Sequence, residues 1–308
     1  MDHGCRGGGV CKVIMHPEHA KHFLAVEEGQ PSLEDSRFAI ISVPYERTVS
    51  YGGGTKFGPA AIIEASPQIE FWDEELGIET YKEGIHTLPP INCKGSEKAV
   101  FARIEKYVED YMANHKAFPF YLGGEHSISQ ALIAPYIRKY GKKLSVLHFD
   151  AHADLRESYF GDERSHACAL YPASKEVKVV QVGIRSVGSE EKQNVNSGNV
   201  TTYFMHENLD IKKLTDKVLK SLTDLVYITI DVDGFDPSVV PGTGTPQPGG
   251  FTWYDAMYLF KAVCMNKKIA AIDVVETAPI KGSHISEFNV SKMVYRLMGY
   301  LTVSKKNK

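Results

Sequence analysis

Three short segments of this chain carry side chains suited to metal binding: GGEHS (123–127), HFDAHADLR (148–156) and TIDVDGFDP (229–237). They contribute His126, Asp150, His152, Asp154, Asp231 and Asp233. In Asp150-x-His152-x-Asp154 the spacing lets all three side chains share one face of extended chain. Alone, that triplet reads equally well as turn and cap residues. Asp231 and Asp233 repeat the spacing, and two carboxylates so close repel until a cation or proton intervenes. Their bland reading is an Asx turn running into Asp236-Pro237. His126 could merely sit where the Gly123-Gly124 turn opens a helix. What favours metal is the coincidence: each segment directly follows an apolar run that reads as a strand.

Two imidazoles and four carboxylates exceed the needs of one tetrahedral zinc. They suit two ions about 3.5–4 Å apart and bridged by aspartates. An oxygen-rich set with two imidazoles and no thiolate suits Mn²⁺, although other divalent ions compete for such donors. Four aspartates and two divalent cations balance to zero. A hydroxide, from a water whose pKa falls from about 15.7 toward ~7 on a metal, and the nearby Glu276 make the balance negative. A phosphate ester would be repelled there. A planar guanidinium, which pairs with a carboxylate at two points, would be held.

The elements that must position these residues are legible as alternating patterns. Apolar runs at Phe38–Val43, Phe118–Leu122, Leu144–Phe149, Val177–Val182, Leu225–Ile230 and Ile269–Val274 read as strands. Helical patterns fall at 59–66, 99–115, 127–139, 188–195, 210–222, 252–265 and 284–303. The alternation predicts a parallel sheet with helices on both faces, and continuous apolar strands fit a sheet covered on both sides. In such sheets ligands bind beyond the carboxyl ends of the strands. His126, Asp150, Asp231 and Glu276 each follow such an end.

The chain of 308 residues, 43% hydrophobic, shows no repeat or linker, so a single domain over 31–308 is expected, preceded by a poorly ordered segment over 1–30. Basic and acidic residues number 35 and 38 and are well mixed, giving a net charge of −3 with no stripe for nucleic acid. No apolar run approaches the roughly 18 residues of a membrane span. Five irregularly spaced cysteines make no disulfide framework, and a cytoplasmic location is expected. His3, Cys5 and Cys11 suggest a metal site, but a frayed Gly-rich terminus is the plainer reading.

GGEHS, DAHADLR, SHACAL, DVDGFDPSVVPGTGTPQPGG and DVVETAP, in this order, resemble the ureohydrolase family, which includes arginase and agmatinase. The resemblance runs from about residue 37 to 301. It implies a three-layer α/β/α sandwich with a central, mostly parallel sheet, the arginase-like fold. It also implies a binuclear manganese centre, two Mn²⁺ per chain, that hydrolyses a guanidino group to urea and an amine. By motif position the six residues above become metal ligands, with Asp154 or a neighbour orienting the attacking hydroxide. Glu276 becomes the guanidinium holder and His166 the proton shuttle to the leaving amine. An imidazole suits that task because its unperturbed pKa is near the working pH. Without the family, His166 reads as a loop histidine. The resemblance further implies a homo-oligomer, a trimer or hexamer. Glu125 stands where many members have Asp, and Gly234 where some have Cys; neither is an expected ligand.

YGGGTKFGPAAIIEAS (51–66) and PGTGTP (241–246) look more like agmatinases than arginases. The loop LRESYFGDERSH (155–166) carries Glu157, Asp162 and Glu163 where arginases hold an α-carboxylate with Asn and Ser. That favours a small cationic guanidino substrate such as agmatine, with Glu157 as a candidate contact. Arg156 and Arg164 weaken the argument if either turns inward, and a solvated charged loop is the bland reading. PGTGTP reads as site wall or as structural turn. Trp253 reads as pocket wall or as a helix start against the core. Other guanidino compounds, or formimidoylglutamate, remain alternative substrates. A non-catalytic homologue remains an alternative of another class, which an intact ligand set argues against.

Overall fold

The computed structural model describes residues 22–26, 29–305 and 307. The N-terminal His3, Cys5 and Cys11 lie outside the described residues. The strands are β1 (Phe38–Val43), β2 (Trp72–Asp73), β3 (Ile78–Glu79), β4 (Ile85–Thr87), β5 (Phe118–Gly123), β6 (Leu144–Phe149), β7 (Lys178–Ile184), β8 (Val200–Phe204), β9 (Leu225–Asp231) and β10 (Lys268–Val275). The α-helices are α1 (Gly58–Ala65), α2 (Glu97–Asn114), α3 (Ile128–Tyr140), α4 (Tyr171–Glu176), α5 (Ile211–Ser221), α6 (Trp253–Asn266) and α7 (Ile285–Val303).

Eight strands form one sheet in the order β4-β1-β5-β10-β9-β6-β7-β8, and every pairing in it is parallel. Because side chains alternate along a strand, each strand feeds two cores. Phe38, Ile40, Phe120, Leu122, Ile228 and Ile230 pack with buried residues of α1, α5, α6 and α7. Ala39, Ile41, Tyr121 and Tyr227 pack with those of α2, α3 and α4. The result is the three-layer α/β/α sandwich. Helix α2 shows how sequence sets a layer: Val100, Phe101, Ile104, Val108 and Tyr111 line one face, and the Ser96 side chain caps its start by accepting from Ala99 N–H.

The six apolar runs are the six inner strands, with small shifts at their ends. The two further strands of this sheet, β4 and β8, are its edges. Their sequences, Ile-His-Thr and Val-Thr-Thr-Tyr-Phe, are only partly buried, so neither carries an apolar run. The helix expected over 188–195 is instead a series of turns. Its Glu191 points inward, accepting from Leu155 N–H at 2.8 Å and Gly188 N–H at 2.7 Å, and this ties the segment to the site loop rather than to a helical ladder. Phe23 and Leu24, within the segment expected to be poorly ordered, are buried, and their N–H groups bond Thr87 and Ser66.

One ion cluster braces α7. Buried Arg296 meets Asp73 at 2.6 Å and Glu74 at 2.7 Å, and its third arm meets Glu75. Arg296→Ala leaves the buried Asp73 carboxylate without its cation. Breaking such a pair costs about 3–5 kcal/mol. A urea melt should show the midpoint fall accordingly, while an unchanged midpoint would mean the cluster contributes nothing.

Candidate active site

The four strands β5, β10, β9 and β6 are neighbours at the centre of the sheet, and their carboxyl ends deliver the expected residues to one rim. Gly123 and Gly124 let the chain leave β5 tightly: a Cβ on Gly124 would stand 1.9 Å from the Tyr45 carbonyl oxygen. His126 follows, with its Nδ1 3.1 Å from Asp150 Oδ2, 3.1 Å from Asp154 Oδ2 and 3.3 Å from Asp231 Oδ2. His152 Nδ1 lies 2.9 Å from Asp233 Oδ2 and 3.6 Å from Asp150 Oδ1. Asp150 therefore offers one oxygen to each histidine. Two candidate ligand groups share it: His126, His148, Asp150 and Asp154 on one side, Asp150, His152 and Asp233 on the other. Asp231 closes the first group through its contact with His126.

These residues fit a pair of cations. His126 Nδ1 is buried without a hydrogen-bond partner; it aims into the gap between three carboxylate oxygens rather than at any one. Burial pushes the Asp231 carboxyl well up, and the charges of Asp233 and Asp150 add to this. Asp233 is raised for the same reasons, burial first and then Asp150. Burial would lower His126, but contacts with Asp150, Asp154 and Asp231 outweigh it and hold the ring well above its usual value. His152 is only partly buried; that burial would lower it, but Asp233 and Asp150 outweigh the effect and push it up to about 12. The crowded carboxylates of this cluster thus favour added positive charge. Divalent cations resolve the same conflict.

His148, which sequence reading passed over, is not a free donor. Gln181 Nε2 donates to the Ala153 carbonyl at 2.6 Å, so it must also donate to His148 Nδ1 at 2.9 Å. The other nitrogen, Nε2, therefore carries the proton and donates to Asp150 Oδ2 at 2.7 Å. His148 orients the shared aspartate. His126 is oriented from behind in turn: its Nε2 lies 3.0 Å from Thr229 Oγ1, which donates to Asp273 Oδ1 at 2.7 Å. Tyr227 and Ser129 also donate to Asp273. For His148, Gln181, Tyr227, Thr229 and Asp273 the signal was present as polar groups inside apolar strands; Ser129, in α3, carried none. Arg185 had no such signal. It donates to the carbonyls of Asp233, Phe235 and Gln247 and so clamps the turn that carries Asp233. Support behind a ligand typically contributes 10–100-fold in metal affinity. Thr229→Val should weaken binding of the first ion by about that factor in a metal titration, and unaltered affinity would exclude the orienting role.

A cavity of about 160 Å³ opens above this cluster. Its floor includes His152, Asp154, Asp231 and Asp233, and its walls include Glu276, His166, Ser50, Tyr51, Arg156, Tyr159, Gly244 and Thr245. Glu276 and Asp154 both adopt left-handed backbone, at φ 65° and 50°, a conformation uncommon for non-glycine residues. Glu276 Oε1 accepts from His126 N–H at 2.6 Å. Burial raises its carboxyl to about 8, and the charge of Glu125 adds to this. His166 stands on the opposite loop, with Nδ1 3.1 Å from Thr48 Oγ1 and Nε2 2.9 Å from Ser50 Oγ.

Both readings of PGTGTP hold. Gly52 N–H donates to the Gly244 carbonyl at 3.1 Å, and a Cβ on either glycine would stand within 2.9 Å of the other's oxygen. The turn is structural, and Gly244 and Thr245 are also wall. Trp253 is outside the wall; it starts α6 and packs on the core. Gly234 is the residue its place requires, since a Cβ there would meet the Phe149 ring at 2.5 Å.

The loop 155–166 differs most from expectation. Glu157 does not reach the cavity. It is exposed beside Arg156, Glu190 and Asn194 in a separate depression. Asp162 and Arg164 join an ion network with Arg47 and Glu97. Arg156 does turn toward the cavity, but it is paired with Glu190 and its guanidinium lies 4.8 Å from the Tyr159 ring centre. The loop's acidity is therefore not presented to a substrate as the sequence suggested.

Over residues 36–299 the sequence matches the Arginase family. It is 33% identical over 300 residues, 94% of this chain and 96% of the relative, to the N(1)-aminopropylagmatine ureohydrolase of Synechocystis sp.. It is 35% identical over 263 residues, 82% of this chain and 87% of the relative, to the agmatinase of Bacillus cereus. Among solved structures, the agmatine ureohydrolase of Thermoplasma volcanium superposes with a TM-score of 0.80 at 26% identity, over 88% of this chain and 91% of that one. No helix among the described residues is long and apolar enough to cross a membrane.

Proposed function

The chain belongs to the Arginase family, and we propose that it hydrolyses the guanidino group of agmatine to urea and putrescine. The observation that carries the reading is Asp150, whose two oxygens face two histidines from different elements beneath a cavity walled by Glu276 and His166. His126, Asp150, Asp154 and Asp231 would hold one Mn²⁺, and His152, Asp150, Asp231 and Asp233 the other. When bound, the two cations supply a nucleophilic water-derived hydroxide at neutral pH and polarise the guanidino carbon. Four aspartates offset the two cations, so the Glu276 carboxyl, which burial raises to about 8, would ionise on pairing with the substrate guanidinium. That pairing fixes the carbon over the floor. Asp154, held in its left-handed turn, would orient the nucleophile by accepting a hydrogen bond from it. His166, across the cavity, donates a proton to the departing amine so that it leaves neutral.

A second reading is favoured by the Synechocystis relative and by the cavity mouth. That relative is named for a substrate longer by an aminopropyl group. Tyr51, on the cavity wall, is 88% exposed, and Tyr159 also lines the cavity. Aromatic faces of this kind attract a distal ammonium. Urea release from agmatine, N(1)-aminopropylagmatine and arginine, with and without added Mn²⁺, tests both readings. Either of the first two should outpace arginine strongly and depend on metal. Preference for arginine would reject both, and no urea from any of the three would revive a non-catalytic homologue. The same reading includes a homo-oligomer, trimer or hexamer, which sedimentation would detect.

A further inference from the structure

We propose that Thr48 is a positioning residue that fixes the tautomer of His166, under the instruction of Glu125. The inference deepens the reading of His166 as proton donor and rests on it for its kinetic part only.

The argument follows hydrogen-bond polarity. Glu125 is fully buried, and its carboxylate is surrounded by donors: the N–H groups of Arg47 and Thr48 on Oε2, the hydroxyls of Thr48 and Ser127 on Oε1. A carboxylate in that position only accepts. The single hydroxyl proton of Thr48 therefore points at Glu125 Oε1, 2.8 Å away. Thr48 Oγ1 is left with two lone pairs. One accepts from His166 N–H at 3.0 Å and the other faces His166 Nδ1 at 3.1 Å. Ser165 Oγ also lies near Nδ1, but farther, at 3.4 Å; the nearer partner, Thr48, can only accept, and that requires the proton on Nδ1. Nε2 is then the basic nitrogen, and it faces the cavity, where the Ser50 hydroxyl donates to it at 2.9 Å. When Ser50 turns away, the same nitrogen is open toward the cavity, able to take a proton and pass it to an amine.

Glu125 thus governs a ring it does not touch, through one threonine hydroxyl. It also anchors the whole 46–50 loop after β1, which brings Ser50 and Tyr51 to the cavity. In the sequence Glu125 looks like a passive neighbour of a metal ligand, and Thr48 has no feature at all.

The test uses the full-length protein loaded with Mn²⁺ for kinetics, and Mg²⁺-loaded protein labelled with ¹⁵N-histidine for NMR. His166 signals are assigned by difference against His166→Ala. We expect wild-type His166 to be protonated at Nδ1 in its neutral form, Thr48→Val to shift the ring toward the Nε2–H tautomer, and Thr48→Ser to restore the wild-type pattern. In turnover, loss of one such bond should lower kcat by about tenfold with KM little changed, and Thr48→Ser should recover most of the loss. A tautomer unchanged in Thr48→Val, or a shifted tautomer with wild-type kcat, overturns the inference. A tautomer that shifts as expected supports it even if no guanidino compound yields urea, an outcome that would sink the proposed function alone.

Discussion

Asp150→Ala is expected to empty the metal centre and to lower urea release by ~10³-fold or more. The loss of several kcal/mol of electrostatic stabilisation has that effect on a rate. The expectation rests on sharing. Asp150 Oδ2 faces His126 and Oδ1 faces His152, so one truncation removes a ligand from both ions at once. Asp231 is the other carboxylate assigned to both ions, but of the two histidines it meets only His126, at 3.3 Å, whereas Asp150 faces both. The variant also strands His148, whose Nε2–H loses its acceptor in a fully buried position. For that reason Asp150→Asn is the better companion: it keeps the shape and an acceptor for His148 while removing the charge. Elemental analysis of the purified protein should give fewer than one ion per chain for Asp150→Ala, with the secondary-structure signal intact. A variant that kept full activity in the presence of a chelator would show that the site has been placed wrongly.

How much of this was readable beforehand depends on where a residue's constraint comes from. The inner strands were legible because burial on both faces demands a continuous apolar run, and the six expected ligands were legible because they follow those runs directly. The edges β4 and β8 were not, since an edge strand needs little apolar sequence and takes its register from its one neighbour. The segment 188–195 read as a helix because Glu190, Glu191, Lys192 and Gln193 are good helix formers. Its actual state is fixed by two backbone donors, one of them at Leu155, far away in sequence. The charged loop 155–166 shows the same limit. Its composition suggested an acidic lining, but Asp162 is matched by Arg47 and Arg164 by Glu97, both across the fold. Only the ring of His166 and the aromatic and guanidinium groups of Tyr159 and Arg156 reach the cavity. Charge type is local information, whereas charge direction is tertiary.

That distinction shapes the second large expectation, His166→Ala. Turnover should fall by ~10²–10⁴-fold, the usual contribution of one acid–base group, while bound metal stays at the wild-type level. The two results together separate roles that a single activity assay confuses. Among the histidines lining the cavity, His152 is engaged by Asp233 and Asp150, and only His166 keeps a nitrogen facing the cavity without a carboxylate on it. No carboxylate contacts Nε2 to fix a proton there, so the ring is free to give a proton and regain one. KM should change little, because in the proposed reading the guanidinium pairs with Glu276 and not with His166. The leaving amine would have to depart unprotonated in the variant, so added imidazole small enough for the vacated space should restore part of the rate in proportion to its concentration. If His166→Ala turns over at the wild-type rate, proton delivery comes from solvent, and the loop from Thr48 to Ser50 serves only to shape the mouth of the cavity.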